Sequence, residues 1–193
     1  MTIALLYGAG SGVLHAVTGP DHVLSLGPVA LRHPRESFRI GLSWGVGHAI
    51  GTLVLALPLL VLSNLVHLPT LATWGQRGAG AALLMAAGWS VWTSRTRSPQ
   101  RNADSRTPLM VGLLHGMTGA GSLLLVLPVL VSGSLEHTLL FLAAFSIGSA
   151  LAMALLTSTI ATLGAKLEQR VIARFQAVMM ATAAVLGSYW LIR

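Results

Sequence analysis

Six apolar stretches dominate this chain: Ile3–Leu31, Ile40–Val66, Gly78–Trp92, Leu109–Val131, Leu139–Leu163 and Val171–Ile192. Crossing the hydrocarbon core takes about 20 apolar residues in a helix, so the expected fold is all-α and integral to a membrane, with six transmembrane helices. The third stretch is the shortest. With 54% hydrophobic and 9% charged residues, too little polar surface remains to coat a soluble domain. The stretch from Ile3 to Leu31 is expected to stay as the first helix and not to be cleaved as a signal. No Lys or Arg precedes it, and no small-x-small site closes a short apolar core.

A net charge of +7 would suit a nucleic-acid partner, but the placement of the charges argues against one. Arg32, Arg35 and Arg39 lie between the first and second stretches. Arg95, Arg97, Arg101 and Arg106 lie between the third and fourth, and Lys166, Arg170 and Arg174 surround the last turn. Arg77 and Arg193 alone fall on the opposite face. The positive-inside rule then predicts a multi-pass protein of the plasma or inner membrane with both termini outside the cytoplasm. The partners implied are the lipid bilayer and a small ligand, with no nucleic acid.

Internal self-similarity organises the six helices. At an offset of 100, Gly12-Val13-Leu14-His15-Ala16-Val17-Thr18-Gly19 matches Gly112-Leu113-Leu114-His115-Gly116-Met117-Thr118-Gly119, and Pro28 falls on Pro128. At an offset of 101, Trp44, Val46, Gly47, His48 and Ala49 fall on Phe145, Ile147, Gly148, Ser149 and Ala150. The expected organisation is a first three-helix repeat over residues 1–94, a cytoplasmic Arg-rich linker over 95–108 and a second three-helix repeat over 109–193. Each half crosses the membrane an odd number of times, so the second copy is expected to be inverted, as in many secondary transporters.

Within the first stretch sit His15, Asp21 and His22. A carboxylate at bilayer depth costs roughly 3 kcal/mol on insertion scales, which makes such a residue a binding-site candidate by default. On an unbroken helix His15 and His22 would share a face about 10.5 Å apart along the axis, too far for two imidazoles to share one ion at roughly 2.1 Å each. Gly19-Pro20 relieves this, because Pro removes a backbone donor and Gly permits the bend. The first helix of each repeat is therefore expected to be broken at its Thr-Gly, with Pro20 opening a second half-helix. His48 lies about as far from the Arg32–Arg39 turn as His22 does and is expected to reach it. Candidate metal ligands are thus His15, Asp21, His22 and His48. Thr18, His115, Thr118 and Ser122 are candidate pathway residues, with the two threonines expected to bond back to their own helices.

The run Gly12-Val13-Leu14-His15-Ala16-Val17-Thr18-Gly19-Pro20-Asp21-His22-Val23 resembles the signature helix of the nickel/cobalt transporter family, above all its short urease-accessory, UreH-type members. Gly45-Val46-Gly47-His48-Ala49 resembles that family's second motif, and His115-Gly116-Met117-Thr118-Gly119-Ala120-Gly121-Ser122 the corresponding helix of its second half. Five residues separate His15 from Asp21 where the better-known nickel permeases have four, and no acidic pair stands near His115. The resemblance implies a transporter of nickel or cobalt.

Ligand chemistry bounds the cargo independently. Imidazole and carboxylate suit divalent nickel, cobalt, zinc or iron and disfavour copper(I) and calcium, and the chain has no Cys to add thiolate. Imidazole must be deprotonated to bind, so occupancy is expected to fall as pH drops through about 6.5. No nucleotide-binding loop occurs, which leaves an ion gradient or a partner protein as the energy source. The expectation is a non-enzymatic carrier of a divalent transition-metal ion, either alone or as a homo-oligomer. A metal-handling accessory subunit serving metalloenzyme maturation is the alternative. An intramembrane metalloenzyme fits less well, because Glu36, Asp104, Glu136 and Glu168 all fall in loops and leave no second carboxylate at depth.

Overall fold

A computed structural model describes residues 2–62, 106–118 and 134–192, with scattered helical positions between 70 and 91. All the regular structure among these residues is helical. The order is α1 (Thr2–Thr18), α2 (Pro20–Arg32), a 3-10 turn (Pro34–Glu36), α3 (Ser37–Leu62), α4 (Arg106–Thr118), α5 (Leu135–Gly164) and α6 (Gln169–Ile192).

Among the described residues three helices, Pro34–Pro58, Leu135–Gly164 and Gln169–Ile192, are long and apolar enough to cross a membrane. The expectation of six is corrected to that extent, for a local reason. Gly19 splits the first stretch into helices of 17 and 13 residues, each short of the roughly 20 a crossing needs. The third stretch is described only at scattered helical positions, and the second half of the fourth lies outside the described residues, as does Gly119 of the expected Thr118-Gly119 break. Helical positions from Thr70 onward precede the expected start at Gly78.

The break at Gly19 is built by its neighbours. Pro20 at the first helical position has the φ a helix start requires, and Gly19 stands before it in extended conformation, φ −71° and ψ 107°. Asp21 lies in the first turn of α2, where a carboxylate complements the helix dipole. His33-Pro34 ends α2, because the residue before Pro is pushed away from helical geometry.

Small residues set the packing. Gly12 of α1 lies against the Phe145 carbonyl and the Ser149 amide of α5, and Gly112 of α4 lies against the Trp44 carbonyl and the His48 amide of α3. Gly148 meets Ala9 as Gly47 meets Leu109. The same contact is thus made twice, at offsets of 100 on one side and 101 on the other. In each pair residue numbers rise together, so α1 runs parallel to α5 and α4 parallel to α3. Between α3 and α5 they run oppositely: Gly41 lies against Ala154 and Gly45 against Ala150. It follows that α1 and α4 are antiparallel.

Ala16, Leu26, Trp44, Ala152 and Met153 form a buried cluster at the crossing of these helices. α2 leans on α6, where Gln176 Nε2 donates to the Pro28 carbonyl oxygen at 3.3 Å. Leu31 packs on Gly164, so the Arg32–Arg39 turn and the Lys166 turn share one end of the bundle. On α6, Gly187 meets Gly80, while Val178, Val185 and Ile192 are exposed along a helix apolar enough to face lipid.

Candidate metal centre

The missing donor of Pro20 organises the centre. In a continuous helix the Ala16 carbonyl would accept from the amide of residue 20, and Pro has none. The His22 ring takes its place: Nδ1 lies 3.2 Å from the Ala16 carbonyl oxygen. A carbonyl can only accept, so Nδ1 carries the proton and donates, which leaves Nε2 with its lone pair. His22 is fully buried, and its Nε2 has no hydrogen-bond partner among the described residues. A buried polar nitrogen without a partner costs about 1–3 kcal/mol. Metal-ligating histidines share this arrangement, one ring nitrogen held by a backbone carbonyl and the other free to coordinate.

Three more imidazoles converge on the same place. His15 from α1 meets His22 edge-on with ring centroids 4.7 Å apart, and His48 from α3 and His115 from α4 each stand 5.4 Å from it. His15 Nε2 faces His48 Nε2 at 3.3 Å. Two nitrogens bound at about 2.1 Å to a tetrahedral ion are separated by roughly 3.4 Å, so this pair already has the spacing of one tetrahedral edge. Trp44 stacks flat on His48, centroids 5.3 Å apart and planes 6° from parallel. On the opposite side Phe145, its counterpart by repeat register, packs on His15 at 5.6 Å.

Asp21 does not stand apart from this cluster. Its Oδ2 accepts from His115 Nε2 at 2.7 Å, although 94 positions separate them. Among the described residues two three-residue groups bring their ligand atoms within 4.8 Å of one another: His15, His22 and His48, and Asp21, His22 and His115. His22 belongs to both. Gly19 leaves room for the acid and the ring, since a Cβ there would run into His22 Nδ1 and Asp21 Oδ1.

Of the four expected ligands, His15, His22 and His48 fall in one group, while Asp21 joins His22 in the other together with His115, expected as a pathway residue. Thr18 Oγ1 donates to the Leu14 carbonyl oxygen at 2.8 Å and Thr118 Oγ1 to that of Leu114 at 3.0 Å, so both hydroxyls are spent on their own helices. Ser122 lies outside the described residues. Glu36 pairs with Arg39 at 3.0 Å at the end of the bundle, away from the cluster. Sequence reasoning missed Trp44 as a wall of the centre and Asp21 as the partner of His115. The one signal for the first was its place four residues before His48, one turn along α3.

Among curated proteins the chain is similar to two chloroplast proteins of Arabidopsis thaliana, FOR GROWTH AND FERTILITY 2 and FOR GROWTH AND FERTILITY 1. Identity is 29% over 181 residues with the former, covering 85% of this chain and 48% of the relative. With the latter it is 27% over 184 residues, covering 83% and 50%. The chain spans about half the length of the curated relatives it matches. No family model matches, and no solved structure matches.

These findings correct the expected membership of the nickel/cobalt transporter family and of its UreH-type branch: the curated relatives are chloroplast growth proteins. The resemblance rested on three short runs of a dozen residues or fewer, whereas the two curated relatives match over more than four-fifths of the chain. The spacing of five residues between His15 and Asp21 already departed from that family's pattern.

Proposed function

We propose that this chain is a membrane carrier for a divalent transition-metal ion, with His15, Asp21, His22 and His48 as ligands and His115 beside them. The observation that carries this reading is the buried, unpartnered lone pair of His22 Nε2, surrounded by three other imidazoles and one carboxylate. Neutral imidazole with a single carboxylate favours divalent cobalt, nickel, zinc or iron over calcium or magnesium. The cargo is the substrate of the protein and needs no resident cofactor.

The packing supports a transporter architecture. We read the repeated contact at offsets of 100 and 101, with α1 antiparallel to α4, as two inverted three-helix halves making six crossings in all. The ion lies where the broken helix and α3 of the first half meet α4 of the second, the interface between repeats that is a common location for transporter sites. By the positive-inside rule we read the end carrying the Arg32–Arg39 and Lys166 turns as the positively charged side of the membrane, with both termini on the other. A chloroplast membrane is the location suggested by the named relatives, and an accessory subunit of a larger assembly is the competing role.

Flux measurement tests the reading directly. Full-length protein in proteoliposomes is expected to carry radiolabelled cobalt or zinc down a gradient, and Asp21→Asn and His22→Ala are expected to reduce the rate at least tenfold. Wild-type flux no greater than that of empty vesicles, for every divalent transition metal tried, would remove transport and favour the accessory role.

A further inference from the structure

We propose that the centre offers the ion two alternative positions that share His22, one completed by His15 and His48 and the other by Asp21 and His115, and that transport moves the ion between them. The inference rests on the carrier reading above and adds how the ion advances.

The two groups of ligands overlap at one residue, His22. All ligand atoms of each group lie within 4.8 Å of one another, and the shared member has one lone pair, because its Nδ1 is committed to the Ala16 carbonyl. One lone pair binds one ion. The positions are therefore exclusive, and the protein binds a single ion at a time.

The repeat explains why there are two. His15 and His115 occupy the same place in the two halves, at an offset of 100, on helices that run in opposite directions. Both rings reach His22, at 4.7 Å and 5.4 Å. Exchanging one for the other as partner of His22 is the change that interconverting two inverted halves would produce. The exchange is unequal in charge: the first position is built of imidazoles alone, while the second includes the Asp21 carboxylate and should hold a divalent ion more tightly. The residues matching His22 and His48 in the second half are Ser122 and Ser149, so the shared ligand comes from the first half alone.

Cobalt(II) reports its ligands through its visible absorption, which tests the idea without relying on flux. Purified full-length protein in detergent is titrated with cobalt as wild type, His115→Ala, His115→Asn, His48→Ala and His22→Ala. One equivalent is expected to bind to wild type. The His115 variants should retain one equivalent with the spectrum of an all-nitrogen site. His48→Ala should retain one with a shifted spectrum from the mixed nitrogen and oxygen site, and His22→Ala should bind at least 100-fold more weakly. In proteoliposomes each confined variant is expected to lose at least tenfold in flux while its cobalt affinity changes by less.

Two equivalents in wild type would overturn the proposal, as would identical spectra in His115→Asn and His48→Ala. Wild-type flux in His115→Asn would overturn it as well, since that variant would then need no second position. Failure of the carrier reading looks different: no flux in wild type, with the two confined spectra still distinct, leaves two positions in a protein that does not transport.

Discussion

His115 Nε2 lies 2.7 Å from Asp21 Oδ2, tying the first turn of α2 to α4 across 94 positions of sequence. The contact satisfies a carboxylate whose side chain is 14% exposed and an imidazole that is 2% exposed. Neither group is cheap to leave alone at that depth, and each has its partner in the other half of the chain.

His115→Ala should therefore lower stability by about 2 kcal/mol, because it strands the Asp21 carboxylate. Asp21→Asn keeps an oxygen that accepts from His115 and should cost less than about 1 kcal/mol, yet it removes the one negative charge of the position that Asp21 and His115 complete. Unfolding in mixed detergent micelles followed by circular dichroism, alongside cobalt titration, separates the two effects. Equal destabilisation by both variants would contradict this account of the pair.

Gly19→Ala places a Cβ against His22 Nδ1 and Asp21 Oδ1. Cobalt affinity should fall at least tenfold with helix content unchanged. Gly10, in the same stretch, has nothing within 4 Å of an added Cβ. Gly10→Ala should leave binding intact and stabilise the chain by about 0.5–1 kcal/mol, the usual helix preference of Ala over Gly. Loss of cobalt binding in Gly10→Ala would mean that close approach is not what reserves glycine at position 19.

Pro20→Ala restores an amide that competes with His22 Nδ1 for the Ala16 carbonyl. The His22 ring then loses its anchor, and metal affinity is expected to drop about tenfold while the melting temperature holds or rises. A variant that binds cobalt as tightly as wild type would show that the missing amide does not fix the ring.

Gly12 and Gly112 make equivalent contacts in the two halves, so Gly12→Ala and Gly112→Ala should destabilise to a similar degree. Overpacking at a close helix crossing typically costs about 1–3 kcal/mol. Thermal unfolding in detergent compares them. A loss confined to one variant would break the equivalence of the two seams.

Much of this site was legible beforehand, and for local reasons. Gly19-Pro20 announces a break because φ restriction and a missing amide act within one turn, and the His-x-x-Thr-Gly repeat fixes which residues correspond between halves. The same local chemistry places Asp21 beside the break and returns the Thr18 and Thr118 hydroxyls to their own helices. What the residues could not show is who meets whom across the bundle. His115 reads as a repeat position of His15, and nothing near it in sequence marks it as the partner of Asp21. Trp44 reads as an apolar residue of α3 one turn from His48, whereas its edge contact with the His22 ring, centroids 5.5 Å apart, depends on where α3 passes α2.

The family resemblance failed for a related reason: a few residues shared over short runs say little about descent, whereas the curated relatives match over most of the chain. Sequence by itself determined the apolar helices, the broken first stretch, the two-fold repeat and the inventory of ionisable residues within it, because these follow from hydropathy, proline geometry and residue order. Tertiary structure alone decided that four imidazoles and one acid converge, with buried ring nitrogens of His22 and His48 left without a hydrogen-bond partner among the described residues. Helix crossing depends on side chains far apart in the chain, and their distances are set by packing.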